Sequence, residues 1–130
     1  MESQRKLVYV VEDDEEQLTL LRMMLAGAGY DVVTQSDADK VLAGVRDLKP
    51  DCVLLDVMLP SRNGADGFQL CMDIRSDPSC GKVRVIIVSA IAEGVGSQRE
   101  KIRAQVGADD YFVKPYDPTA LLARIRELTS

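Results

Sequence analysis

Leu7-Val8-Tyr9-Val10-Val11-Glu12-Asp13 decides how this chain is read, because five residues suited to a buried strand run without interruption into two carboxylates. A run that is apolar on consecutive residues fits a strand covered on both faces, as the strands of a parallel sheet are. The same form returns at Cys52 to Leu55 followed by Asp56, at Val85 to Val88 followed by Ser89, and at Tyr111 to Val113 followed by Lys114. A further short run, Val32 to Thr34, has no such ending. In a parallel sheet with helices on both faces, the carboxyl ends of the strands lie side by side, so residues far apart in the chain meet in one crevice. Three acids, a hydroxyl and an amine are expected to converge there.

Between the strand-like runs the apolar period changes to that of helices. Leu18, Leu21 and Leu25, with Met24 beside them, define a first helix that Gly27 and Gly29 stop. Asp37 caps a second, from Asp39 to Leu48, with Val41, Leu42 and Val45 on its buried face and Lys49-Pro50 at its end. Phe68, Leu70, Cys71 and Ile74 mark a third, closed by Asp77-Pro78. Ile102 and Val106 mark a fourth, ended by Gly107. Asp117 and Pro118 start a fifth, with a stripe of Leu121, Leu122, Ile125 and Leu128. Strand and helix alternate five times, which predicts an α/β fold with a doubly wound five-stranded parallel sheet. A flavodoxin-like 2-1-3-4-5 order in a three-layer sandwich with five helices fits this pattern best. At 130 residues, without a composition break or repeat, the chain is expected to be one domain over 1–130, with no output domain.

Composition narrows the chemistry. The chain has no histidine, which removes the commonest general base, most nucleophilic triads and the usual zinc sites. Cys52, Cys71 and Cys80 lack metal-ligand spacing and read as free thiols, Cys52 in the core and Cys80 exposed in a Pro/Gly loop. A net charge of -5 argues against direct nucleic-acid binding, so a DNA-directed output needs another chain or domain. No segment has the roughly 20 apolar residues that cross a bilayer, and the N-terminal run is too short for a signal peptide. A cytoplasmic location with no membrane partner is the expectation.

Glu12, Asp13 and Asp56 at adjacent strand ends repel one another unless a cation sits among them, and carboxylate oxygens select a hard ion such as Mg²⁺. Such a site leaves room for phosphate oxygens. Lys114 and Ser89 are suited to bind two more of these. Ser89 alone reads as a strand-end cap, Lys114 as a surface lysine, and Asp14 to Glu16 as an acidic helix start favoured by the helix dipole. Only their company with Asp56 gives the first two a role.

Four segments in this order resemble the response-regulator receiver domain of two-component signalling, the CheY-like family known from bacterial signalling. They are Val10 to Asp14, Leu54 to Pro60, Val88-Ser89-Ala90 and Gly107 to Pro115. The resemblance covers essentially the whole chain. It implies that Asp56 takes a phosphoryl group from a phosphohistidine on a sensor histidine kinase or phosphotransfer protein. It also implies that Asp13, Asp56 and the Met58 backbone carbonyl bind Mg²⁺ directly, with Glu12 acting through water. Lys114 and Ser89 would hold phosphoryl oxygens, and Ser89 with Tyr111 would form the switch that reports phosphorylation. The family's Lys114-Pro115 bond is cis. Such a chain is a signalling phosphoprotein rather than an enzyme, catalysing only its own phosphoryl transfer and slow dephosphorylation. Its expected state is a monomer or a weak phosphorylation-dependent dimer, meeting a downstream protein through the surface near helix four, strand five and helix five. Tyr111 competes with a plainer reading as a half-buried strand aromatic.

Two stretches depart from the family pattern. Residues 60–68 are longer than its usual loop, with Asn63-Gly64 and Asp66-Gly67 competing for the turn, and residues 90–98 are also lengthened, which predicts a shortened or shifted fourth helix. Met58 and Ile91 place apolar groups beside the phosphorylation site where they cannot orient water, which predicts slow self-dephosphorylation. A phosphorylation-independent, receiver-like interaction module is the alternative, with the altered loops replacing the switch. An aspartyl-phosphate hydrolase needs an acid two residues after the nucleophile, where this chain has Met58.

Overall fold

The computed structural model describes residues 5–58, 67–90 and 99–130. Within them the strands are β1 (Leu7–Val11), β2 (Asp31–Gln35), β3 (Cys52–Asp56), β4 (Arg84–Ser89) and β5 (Asp110–Val113). The helices are α1 (Glu15–Gly27), α2 (Val41–Leu48), α3 (Gly67–Ser76), α4 (Arg99–Val106) and α5 (Pro118–Thr129). All strand pairs are parallel, in the order β2-β1-β3-β4-β5. The expected flavodoxin-like topology is therefore the observed one.

Successive strand residues face opposite sides of the sheet, and this divides the core into two halves. Tyr9, Val11, Val53, Leu55, Val85, Ile87 and Tyr111 pack on one side with Val41 and Val45 of α2, Leu70, Cys71 and Ile74 of α3, and Val106 of α4. Val8, Val10, Cys52, Leu54, Ile86 and Val88 pack on the other with Leu18, Leu21 and Leu25 of α1 and Leu121 and Ile125 of α5. Right-handed crossovers in this strand order require that partition. Each helix of a crossover must lie on the side that the direction of travel along the sheet dictates.

Local chemistry sets most helix ends. The Asp14 carboxylate accepts the N–H groups of Glu16 and Gln17 to cap α1, and Asp117 accepts that of Thr119 to cap α5, with Pro118 in the first turn. Asp37 caps as expected, by accepting the Asp39 N–H, but the turn it starts, Ala38–Lys40, is a 3-10 helix and the α-helical part begins at Val41. Gly107 ends α4 at a φ of 79°, a conformation that favours glycine.

Cys80 corrects an expectation. It is buried, because Pro78–Cys80 forms a 3-10 turn capped by Asp77, which folds the thiol inward against the α2 and α3 side of the core. A Pro/Gly composition marks a turn without saying which side chain the turn buries. Cys52 lies in the core, fully buried, and all three cysteines are free thiols. Among the described residues, no helix is long and apolar enough to cross a membrane. The lengthened stretches, apart from Gly67, Phe68 and Ala90 at their ends, lie outside the described residues, as do Ile91, Leu59 and Pro60.

Candidate phosphoryl-transfer site

Strand register brings the site together. Val11 pairs with Leu55, which sets Glu12, the next residue after β1, beside Asp56, the last of β3. Ser89 pairs with Val113, so Lys114 emerges one step beyond the end of β4, its N–H donating to the Ser89 carbonyl at 2.7 Å. The Lys114-Pro115 peptide is cis.

Lys114 is the centre of the charge arrangement. Its Nζ donates to Glu12 Oε1 at 2.6 Å and to Asp56 Oδ2 at 3.2 Å. The remaining oxygens have backbone donors: Met58 N–H reaches Asp56 Oδ1 at 2.9 Å, and Glu12 Oε2 accepts the N–H groups of Asp13 and Asp14 at 3.0 and 3.3 Å. Glu12 and Asp56 are 3% and 5% exposed, so these ionisable groups are buried and hydrogen-bonded together, as buried charges must be. Burial, then the neighbouring Asp56 carboxylate, raises the Glu12 pKa above 4.5, with Lys114 pulling the other way. For Lys114, burial disfavours the ammonium, but the hydrogen bond to Glu12 and the charges of Asp56 and Glu12 outweigh it, leaving its pKa above 10.5.

Carboxylate oxygens of Glu12, Asp13 and Asp56 lie within 4.8 Å of one another, with Asp13 on the exposed side. One ammonium against three carboxylates leaves negative charge that a divalent cation would offset, and an all-oxygen donor set fits Mg²⁺ rather than a softer metal. Ser89 is fully buried at the end of β4. Tyr111 is buried as well, its ring stacked on Phe68 at 6.3 Å between centroids, which exceeds the half-buried placement a plain strand aromatic was expected to have. Its hydroxyl has no hydrogen-bond partner among the described residues. Met58, whose N–H meets the Asp56 carboxylate, is 57% exposed.

Two features of this end of the molecule escaped the sequence pattern. Gly67 starts α3 hard against the chain leaving Asp56: a Cβ there would stand 2.3 Å from the Val57 Cα. Of the two Gly-containing pairs competing for that turn, Gly67 thus has a steric requirement, while Asn63-Gly64 lies outside the described residues. The second is an apolar cleft of about 730 Å³ that Lys114 shares with Leu20, Leu21 and Met24 of α1 and with Pro115 and Tyr116. Its signal was present in the sequence, since Leu20 falls off the buried stripe of α1 and is 62% exposed.

Known proteins share this fold and sequence pattern. The DNA-binding response regulator MtrA of Mycolicibacterium smegmatis is 36% identical over 126 residues, which cover 97% of this chain and 51% of that protein. Response regulator PleD of Caulobacter vibrioides is 38% identical over 123 residues, 94% of this chain and 26% of that protein. The chain spans about half the length, or less, of these curated relatives. The BeF3-activated N-terminal receiver domain of Klebsiella pneumoniae RstA superposes with a TM-score of 0.82 at 32% identity, covering 96% of this chain and all of that one. Residues 8–126 match the family model for the response regulator receiver domain, and the chain belongs to that family.

Proposed function

We propose that this receiver domain is a phosphoryl-accepting switch of a two-component phosphorelay, with Asp56 as the acceptor and a sensor histidine kinase or phosphotransfer protein as the donor. The observation that carries the reading is the buried Asp56 carboxylate, flanked by Glu12 and Asp13 and bonded to Lys114. An Asp56 oxygen attacks the phosphorus of a phosphohistidine, the P–O bond forms, the P–N bond breaks, and the electron pair leaves with the imidazole. Glu12, Asp13, Asp56 and the Met58 carbonyl are the residues that would hold Mg²⁺, which when bound supplies positive charge to the phosphoryl oxygens. Lys114 exchanges a carboxylate for a phosphoryl oxygen, and Ser89 donates to another. Movement of Ser89 together with Tyr111 then carries the change to the surface of α4, β5 and α5, where a downstream protein reads it.

The apolar cleft between α1 and the segment after β5 borders Lys114, so a helical donor docked there brings its phosphohistidine to Asp56. Met58 stands beside the acceptor without a group that could orient water, which supports slow loss of the phosphoryl group. Treatment with acetyl phosphate and Mg²⁺ tests the reading. One phosphoryl mass on Asp56, absent without Mg²⁺ and absent in Asp56→Asn, is the expected result, with a half-life well beyond seconds. Failure to gain that mass, or gain without change in partner binding, favours a phosphorylation-independent receiver-like module instead.

A further inference from the structure

The amino ends of the strands carry the opposite charge from the carboxyl ends. Where β1, β3 and β4 begin, a cleft of about 470 Å³ is lined by Lys6, Lys49, Lys82 and Arg84, with Asp51 the one acidic side chain in its wall among the described residues and Ser130 at its edge. That carboxylate is already engaged, its Oδ2 accepting the Leu7 N–H at 2.8 Å. Arg84 pairs with Asp109 at 3.2 Å, whereas Lys6, Lys49 and Lys82 are exposed and have no ion-pair partner among the described residues. An adjoining cleft of about 550 Å³ shares Lys6 and adds Arg5 and Arg126.

The net charge of -5 conceals this pole. Strands of five residues separate the two ends by about 17 Å, beyond the screening length of about 8 Å at physiological salt, so the acids around Asp56 do not neutralise the cations below. The position of Lys49 adds a separate observation. It ends α2 in the left-handed conformation, at a φ of 49°, where glycine is the residue without strain. A lysine held there sacrifices local stability and places a further cation on the cleft.

We propose that this cleft binds a compact oligophosphate, a small molecule bearing a di- or triphosphate group. The cations come from three separate segments, ahead of β1, after α2 and at the start of β4, so they surround a volume instead of forming a stripe. A stripe suits a nucleic-acid backbone and a flat ring suits a lipid surface, whereas a concavity within the roughly 300–1,000 Å³ range suits a small ligand. Convergent cations repel one another until an anion joins them, and Arg84 adds a fork matched to phosphate oxygens.

Titration of the ¹⁵N-labelled chain with inorganic tripolyphosphate, in metal-free buffer at physiological ionic strength, tests the site. Saturable shifts centred on Lys6, Lys49, Gly81 and Lys82 are expected. The double variant Lys49→Gly/Lys82→Gln should weaken binding about tenfold or more, while the relieved strain at position 49 keeps its melting temperature at or above that of the parent. No shifts up to millimolar ligand, shifts confined to the surroundings of Lys114, or undiminished binding by the folded double variant would overturn the proposal. So would binding of duplex DNA or phosphatidylglycerol vesicles by a chain that ignores tripolyphosphate.

Discussion

Tyr30 and Tyr111, on opposite faces of the sheet, are buried differently. On the α1 and α5 face, the Tyr30 hydroxyl meets Thr129 Oγ1 at 3.0 Å, and Thr129 in turn donates to the Ile125 carbonyl at 2.7 Å. On the α2, α3 and α4 face, the Tyr111 hydroxyl is buried without a partner among the described residues. That second face is also where steric tolerance is smallest. Gly67 abuts Val57, and a Cβ on Gly44 would stand 2.2 Å from the Tyr9 hydroxyl oxygen. Arg75 of α3 ties the same face together, with Nε donating to the Gly107 carbonyl at 2.5 Å, Nη1 to the Val83 carbonyl, and Nη2 to Asp109 at 2.5 Å. One face is a completed core. The other holds a hydroxyl, that of Tyr111, which is unsatisfied among the described residues, and a buried polar group left unpaired is costly.

Substitutions on each face test that contrast. The largest effect is expected from Leu25→Ala on the completed face. Its fully buried side chain leaves a cavity costing about 3 kcal/mol in urea unfolding, while phosphorylation of the folded protein by acetyl phosphate keeps its rate. A slowed rate would erase the functional distinction between the faces. Gly67→Ala is expected to cost about 2 kcal/mol, because the backbone of Val57 must yield, and unlike Leu25→Ala it should also slow phosphorylation, since Val57 follows Asp56 directly.

The tyrosines provide the sharper test. Tyr30→Phe should lose about 1 kcal/mol with its hydrogen bond, whereas Tyr111→Phe should lose nothing or gain about 1 kcal/mol, because the group removed has no partner among the described residues to forfeit. Equal losses in denaturant melts would mean that the two hydroxyls are equally satisfied.

The smallest effect lies outside both cores. Arg46 Nε contacts Asp77 Oδ2 at 2.5 Å, and this hydrogen bond, with the Ser79 N–H, holds the Asp77 pKa below 3.8. A folded pKa below the unfolded one adds stability that is present above pH 3.8 and disappears as the pH falls through the folded value. The small stability gap between the parent and Arg46→Gln should therefore hold steady at neutral pH and close in acid. A gap independent of pH would assign the effect to packing.

Much of this architecture was legible in the residues, and the illegible parts share a cause. Strands and the caps at Asp37 and Asp117 follow from groups a few residues apart, where spacing in sequence is spacing in space. The inward turn of Cys80, the requirement for Gly67 and the three bonds of Arg75 depend on which segment arrives opposite. Arg75 illustrates this well: as a helix-end arginine it reads as a surface cation, and only the approach of Gly107 and Asp109 gives it acceptors.

The acid site divides along the same line. Sequence by itself determined that Glu12, Asp13, Asp56, Ser89 and Lys114 stand at the carboxyl ends of parallel strands, because an apolar run dictates a strand and alternation with helices dictates direction. Only the tertiary structure decided that Lys114 bonds Glu12 and Asp56 at once, across 102 and 58 residues of chain. It likewise gathered cations at the other end of the same strands. Sheet register and helix packing set those distances, and neither is encoded by the spacing of neighbouring residues.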